Sequence, residues 1–323
     1  MPKVSVIIPT YNYGRFVGKA IQSILDQTFL DFEVILVDDG STDNTREVVS
    51  SFKDHRIKYM YQQNSGVSAA QNVGVRASRG DYIAILGSDD ALLKDALEKE
   101  VAVLDKFTGV GLVYGQLSMV SDDGTALGVL GSTFMNNSGI VKQQDQIKEL
   151  LFHCRIIPSA TMIRKCSFNE VGGFYEAFNI AEDLHLFIRL AKRYEVAYIA
   201  EPLVKWRIHP NSLRLNVDPK VAEKVFLFIL EEVFNDPDLA PQFESLKSQA
   251  YSSSYRKIAG YAYGKDMKMV RRYFRKAVSM YPRILFCSES PSIVYRYITS
   301  LFPDKIWLTI RNLKRHFMPS KRL

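Results

Sequence analysis

The stretch Gly80-Asp81-Tyr82-Ile83-Ala84-Ile85-Leu86-Gly87-Ser88-Asp89-Asp90 carries an uncharged run into two adjacent carboxylates. Tyr82 to Leu86 reads as a strand buried on both faces, the pattern of a parallel sheet covered by helices. The chain leaves the sheet at Gly87 and presents Asp89 and Asp90 at the strand's carboxyl end, where open α/β sheets hold ligands. Two neighbouring carboxylates repel each other and cost desolvation, so a cation or a sugar hydroxyl is the expected partner. A simpler reading has Ser88 or Asp89 capping a helix from Ala91 to Lys106, but one cap leaves at least one carboxylate spare.

Upstream the same pattern recurs. Lys3 to Ile8 reads as a buried strand, Pro9 to Gly14 as a turn, and Arg15 to Gln27 as a helix with Phe16, Ala20 and Ile24 on one face. Phe32 to Val37 is a second buried strand that runs into Asp38-Asp39-Gly40-Ser41-Thr42-Asp43, followed by a helical stretch from Thr45 to Phe52. Ile57 to Tyr61 is a third strand, and Asn64-Ser65-Gly66 precede a helix from Val67 to Ala77. This βαβαβαβ order predicts a parallel sheet with right-handed crossovers. Three strands thus deliver Pro9-Thr10-Tyr11-Asn12, Asp38-Asp39 and Ser88-Asp89-Asp90 to one edge. None of these turns carries G-x-G-x-x-G or G-x-x-x-x-G-K-[ST], which disfavours a Rossmann dehydrogenase or a P-loop ATPase. With carboxylates where those folds place glycine amides, phosphate is expected to be held through a divalent cation.

At 323 residues the chain has room for one large α/β domain with an appendage, or for two domains. Its 47% hydrophobic and 24% charged residues are those of an ordinary soluble globular protein. Of the net charge of +7, five charges sit between Asp304 and Leu323, where six Lys or Arg face one Asp. The rest is close to neutral, which argues against a duplex-wide nucleic-acid surface. Cys154, Cys166 and Cys287 show no C-x-x-C spacing and read as buried free thiols in a reducing compartment. The run Val4 to Ile8 is too short for a signal-peptide core and no stretch is long and apolar enough for a membrane span, so a cytoplasmic location is expected.

Five motifs, in this order, resemble family 2 glycosyltransferases of the GT-A fold. They are Val4-Ser5-Val6-Ile7-Ile8-Pro9-Thr10-Tyr11-Asn12; Val37-Asp38-Asp39-Gly40-Ser41-Thr42-Asp43; Gly80-Asp81-Tyr82 leading to Ser88-Asp89-Asp90; Gly172-Gly173-Phe174 followed by Ala181-Glu182-Asp183; and Trp206-Arg207-Ile208-His209-Pro210-Asn211-Ser212. The resemblance implies an α/β GT-A domain over 1–215, with a mainly parallel, Rossmann-like sheet flanked by helices, and a helical C-terminal region over 216–323. It also implies an inverting, metal-assisted transfer of a sugar from a nucleotide diphosphate, most often a UDP-sugar, to a hydroxyl of a cell-envelope or surface glycan. By the family's motifs, Pro9, Thr10, Tyr11 and Asp39 lie at the nucleoside, with Asp39 accepting from the base. Asp89 lies near the ribose or donor sugar, Asp90 ligates Mn²⁺ or Mg²⁺, and Asp183 is the catalytic base. The chemistry has separate needs for each: charge stabilisation at the departing diphosphate, and a carboxylate to take the acceptor's proton.

Three positions depart from the family's pattern. Gly87 stands where many relatives carry a further Asp, Gln71 replaces a common Arg, and His185 follows Asp183 where an acid is frequent; at i+2 on a helix it points elsewhere. Glu182 and Asp183 open a helix over Leu184 to Arg193, so complementing the helix dipole is their alternative role. Arg207 is read as a phosphate contact or a surface residue, and His209 as a metal or phosphate contact or a stabiliser of the following turn.

Beyond Asp218 the pattern is helical, with Val221, Val225, Phe228, Ile229 and Val233 on one face. Tyr261, Phe274, Ala277 and Pro282 have spacings like a tetratricopeptide hairpin. In the tail, Ile306, Ile310, Leu313 and Phe317 form a stripe opposite Arg311, Lys314 and Arg315. Residues 304–323 therefore read either as a peripheral contact at the inner face of the cell membrane, suited to a lipid-linked acceptor, or as a helix docked on the protein. Two other functions share the carboxylate pattern: a metal-dependent nucleotidyltransferase, whose Gly-rich basic loop is missing here, and a catalytically silent nucleotide-sugar binding module.

Overall fold

Buried apolar runs build the first half of the chain. The computed structural model describes residues 1–132, 135–213 and 216–286, which form two compact units, one ending at Pro210 and one beginning at Asn211. In the first, β1 (Val4–Thr10), β2 (Phe32–Asp38), β3 (Ile57–Tyr61) and β4 (Tyr82–Ile85) pair in parallel in the order β3-β2-β1-β4. Val6, Ile7, Ile8, Val34, Ile35, Leu36 and Val37 are fully buried, because α1 (Gly14–Leu25), α2 (Thr45–Ser50) and α3 (Val67–Ala77) supply the crossovers.

Past β4 the chain turns through β5 (Ala91–Leu92) into α4 (Ala96–Lys106). The helix expected from Ala91 therefore starts later, since Ala91 and Leu92 pair antiparallel with Lys205 and Val204. After α4 come β6 (Val110–Ser121), β7 (Ala126–Leu130), β8 (Gly139–Val141) and α5 (Gln143–Phe152). Next are β9 (Thr161–Arg164), α6 (Lys165–Glu170), α7 (Glu182–Arg193) and the long β10 (Glu195–Ile208). β9 inserts antiparallel between β4 and β6, and β10 runs parallel to β6, extending the sheet to β3-β2-β1-β4-β9-β6-β10-β5. The architecture is the helix-flanked α/β sheet expected, but the sheet is mixed: parallel over β1 to β4 and between β6 and β10, antiparallel where β5, β7, β8 and β9 join.

The second unit is helical: α8 (Pro219–Asn235), α9 (Ala240–Phe243), α10 (Lys247–Ala262) and α11 (Met267–Met280). Asp218 caps α8 by accepting from Lys220 N at 2.7 Å, and Asp266 caps α11 through Lys268 N and Met269 N. The buried stripe of α8 runs through Ala222, Val225, Phe226, Ile229, Leu230 and Val233; Val221 and Phe228, expected on it, fall on its exposed flank. α10 and α11 form a helical hairpin that buries Phe274 and Ala277 and is tied by Ser252 Oγ donating to Ala277 O. No helix among the described residues is long and apolar enough to cross a membrane. Of the three thiols expected to be buried, Cys166 is exposed and Cys154 half-buried; Cys287 and the amphipathic stretch over 304–323 lie outside the described residues.

Candidate active site

The parallel strands end in register, which brings the polar clusters together. Thr10 is paired with Asp38, and Asp39 N donates to Thr10 O at 2.9 Å. Leu86 N donates to Ile7 O at 2.9 Å, so the Ser88-Asp89-Asp90 turn leaves the same edge beside β1. Asn12, in the left-handed region at φ 57, accepts through Oδ1 from Thr42 N at 2.8 Å and ties the first two clusters together.

Asp39 is 4% exposed and is used heavily by the protein. Its Oδ1 accepts from Gln62 Nε2 at 2.7 Å and Ser65 N at 2.8 Å, and its Oδ2 from Gly66 N at 2.8 Å, fixing the loop that opens α3. Tyr11 is exposed and Pro9 half-buried at this edge. Thr10 Oγ1 and Gln71 Oε1 are buried there and on α3 without a hydrogen-bond partner among the described residues. Orphaned buried polar atoms cost free energy, and such atoms mark places where a ligand or water completes the bonding.

The two acids after β4 have different partners, although Asp89 Oδ1 and Asp90 Oδ2 would both lie 3.0 Å from a Cβ on Gly87. Asp90 is 4% exposed; its Oδ2 accepts from Ser159 Oγ at 2.5 Å and its Oδ1 from Arg207 N at 2.9 Å. Ser159 Oγ in turn accepts from Gly87 N at 3.0 Å. Burial, and then the neighbouring Asp89, push the Asp90 carboxyl well above the usual carboxylate range. Asp90, expected as the metal ligand, is thus a carboxyl turned inward with a protein donor on each oxygen. Asp89 keeps a more accessible side chain, and its Oδ2 lies 3.0 Å from His209 Nε2.

β10 delivers that histidine. His209 is 3% exposed and packs against the rings of Phe16 and Tyr13, 4.9 and 5.7 Å away between centroids. Arg207, expected at the donor phosphate or on the surface, is buried. Its Nε donates to Asp89 O at 3.0 Å and its Nη1 to Asp122 O at 2.9 Å and Ser121 O at 3.1 Å. It braces the turn from behind. Tyr13, Phe16 and Ser159 were not expected in the site. The first two were visible as aromatics just past Pro9-Thr10-Tyr11-Asn12, whereas nothing in the Ile157–Ala160 stretch marks Ser159. Burial, followed by the charges of Asp89 and Asp90, raises the Tyr13 phenol, which is therefore neutral in the working range.

Asp183 enters from a separate segment, in the first turn of α7. Ala181 before it is left-handed at φ 51, an uncommon conformation for alanine. Asp183 Oδ1 accepts from Leu184 N at 2.7 Å. Its neighbour Glu182 is raised by burial and then by the Asp183 charge. His185 is 5% exposed, with the rings of Phe178 and Tyr175 edge-on at 5.3 and 5.8 Å; it belongs to the core of this segment. Gly172 and Gly173 have φ of 83 and 68, and a Cβ on Gly173 would meet Asn72 Oδ1 and Phe168 Cε1 at 2.9 Å. The turn and its packing require those glycines.

Residues 5–172 match the family model described as glycosyl transferase family 2, slightly more than half of the chain. The chain belongs to that family. Among curated relatives, a glycosyltransferase of Rickettsia felis is 33% identical over 239 residues, covering 74% of this chain and 38% of its own length. TuaG of Bacillus subtilis, a glycosyltransferase whose proposed place is teichuronic acid biosynthesis, is 32% identical, covering 72% of this chain and 88% of its own length. This chain therefore spans well under half of the first relative and most of the second. Solved structures share the fold. S. aureus TarS residues 1–349 in complex with UDP-GlcNAc superposes with a TM-score of 0.66 at 19% identity, covering 92% of this chain and 90% of that one. A mannosyltransferase of Pyrobaculum calidifontis in complex with GDP-Man and Mn²⁺ gives 0.55 at 18%, covering 93% and 87%.

Proposed function

We propose that this family 2 protein transfers a sugar from a nucleotide diphosphate, with a UDP-sugar as the first candidate, to a hydroxyl of a cell-envelope glycan, inverting the anomeric centre. The observation that carries the reading is the Asp89–His209 pair at the carboxyl edge that also presents Thr10 and Asp39. The teichuronic acid setting of TuaG supports the acceptor class, and the UDP-GlcNAc and GDP-Man complexes of the structural neighbours support a nucleotide-sugar donor.

A divalent cation fits this edge through Asp89 and His209, with Asp90 as scaffold. A carboxylate oxygen and an imidazole nitrogen suit Mn²⁺ better than Mg²⁺, which favours oxygen ligands. Among the described residues no group of three or more His, Cys, Asp or Glu side chains is arranged around a metal. The protein thus offers two ligands, and diphosphate oxygens and water would supply the rest. When bound, the cation neutralises charge on the departing nucleoside diphosphate.

The chain's own groups do the remaining work. Thr10 and Asp39 hold the nucleoside side of the donor, and Tyr11 lies exposed beside them. Asp183 accepts the acceptor's hydroxyl proton as that oxygen bonds to the anomeric carbon and the bond from that carbon to the diphosphate oxygen breaks. Arg207 acts by holding the Asp89 carbonyl and the Asp90 carboxyl rather than by touching phosphate. Incubating the protein with a panel of UDP- and GDP-sugars and Mn²⁺ tests the proposal. Slow, cation-dependent release of UDP or GDP is expected, and no release from any donor would count against it.

A further inference from the structure

The segment Gly172 to Ala181, which brings Asp183 to the start of α7, lies along α3 and is fastened to it at successive turns. Asn72 is 8% exposed and pairs both ends of its amide with one residue: Nδ2 donates to Phe174 O at 2.9 Å, and Phe174 N donates to Oδ1 at 3.0 Å. The same Nδ2 donates to Glu176 Oε1 at 2.9 Å. One turn earlier Ser68 Oγ donates to Phe178 O. Where α3 begins, Gly66 has φ of 92, and a Cβ there would overlap the Asn179 side chain. The amides of Ser65 and Gly66 are the ones held by Asp39. From the opposite side, Arg189 of α7 donates through Nη2 to Gly173 O at 2.7 Å.

We propose that Asn72 is a positioning residue for the transfer reaction. It sets where Asp183 stands by holding the segment that carries it to α3, whose first turn is tied to Asp39 through the amides of Ser65 and Gly66. This rests on the reading of Asp183 as the base. A general base works only within hydrogen-bond reach of the proton it takes, and misplacement by about 1 Å can cost roughly 10²-fold in rate. Two backbone bonds from one buried amide fix both the distance and the orientation of Phe174, which a hydrophobic contact would not. Through Asp39 and Gly66 the same helix meets the nucleotide edge, so the donor pocket and the base share one rigid support.

The test compares Asn72→Ala, Asn72→Asp, Ser68→Ala and Asp183→Asn with the parent. Amide hydrogen exchange is measured in the free proteins, and turnover by release of UDP or GDP from the best donor of a nucleotide-sugar panel. In Asn72→Ala, exchange over 174–183 should speed up by about 10-fold or more with β1 to β4 unchanged. Its kcat should fall by roughly 10²-fold, with donor KM within about twofold. Asn72→Asp keeps the acceptor for Phe174 N but turns a carboxylate oxygen onto Phe174 O and Glu176 Oε1, so it should lower kcat at least as far as Asn72→Ala. Should Asn72→Ala fail to fold, Ser68→Ala, which removes one bond from α3 to the same segment, carries the comparison and should show the same faster exchange and lower kcat to a smaller degree. Parental exchange over 174–183, or a loss confined to donor KM, would overturn the proposal. Reduced turnover in Asp183→Asn beside parental kcat in Asn72→Ala would overturn only the role of Asn72, whereas full turnover in Asp183→Asn would overturn the reading of Asp183 itself.

Discussion

His209 Nε2 stands 3.0 Å from Asp89 Oδ2, while the next residue, Asp90, turns its carboxyl inward onto Ser159 Oγ and Arg207 N. Adjacent acids thus do different work: one faces a ligand-competent imidazole, and the other builds the turn that holds the first. Under the proposed function, Asp89 would contact the cation and Asp90 would support the turn.

For Asp89, the expectation is that UDP affinity in the parent rises with Mn²⁺ and that Asp89→Ala and His209→Ala each lose this dependence, weakening binding by about 10-fold or more. Calorimetry with and without EDTA measures it. Equal UDP affinity in the parent under both conditions would remove the cation from this edge.

Asp90→Ala leaves Ser159 Oγ and Arg207 N without their acceptor in a buried setting. A loss of about 1–3 kcal/mol for each donor left unpaired is expected, read as a lower denaturation midpoint with an unchanged m-value. A variant as stable as the parent would contradict the inward role.

Asp39→Ala should lower both stability and UDP affinity. It frees Gln62 Nε2, Ser65 N and Gly66 N at the start of α3, a cost of order 1–3 kcal/mol, and takes away the acceptor proposed for the base. Thermal melts and UDP titrations report the two effects separately. Parental values in both would place Asp39 outside the site and outside the framework.

Glu100 on α4 provides a pH test away from the site. It is 2% exposed, and burial pushes its carboxyl up to about 8. A carboxyl raised in the folded state holds its proton there after the unfolded chain has lost it. Stability therefore falls as pH rises from the unfolded value near 4.5 towards 8 and levels off above it, by at most about 1.4 kcal/mol per pH unit. Glu100→Gln should stabilise the protein more at pH 8 than at pH 5. Parallel melting curves for both proteins across that range would show that Glu100 is not buried as a neutral acid.

The parallel half of the sheet was legible because its strands are mostly apolar runs that end in polar turns: Val4 to Ile8, Phe32 to Val37 and Tyr82 to Leu86 cannot be read as surface. α3 was legible to the residue, between Gly66 and Ser78. The insertion of β9 between β4 and β6 was not, since Thr161–Arg164 is short and its partners are distant in sequence. The orientation of Asp90 was hidden for the same reason: Ser159 and Arg207 reach it from 69 and 117 residues away. The start of α4 was misplaced because the pairing of Ala91 and Leu92 with β10 overrides a locally helical pattern. Asp39 was read correctly as an acid at the edge, but its three donors come from the loop before α3, where composition shows only polar residues.

The central claim is that Asp183 takes the acceptor's proton, and Asp183→Asn tests it most directly. The amide keeps the size of the side chain and can still accept from Leu184 N, but it lacks a basic lone pair of the needed strength. Turnover is measured at saturating donor and acceptor beside a thermal melt and a UDP titration. The prediction is a fall of about 10²-fold or more in kcat with folding and UDP affinity preserved. Turnover close to the parent's, with only the ~0.3–1 kcal/mol loss of stability expected for an acid at a helix N-terminus, would contradict the account.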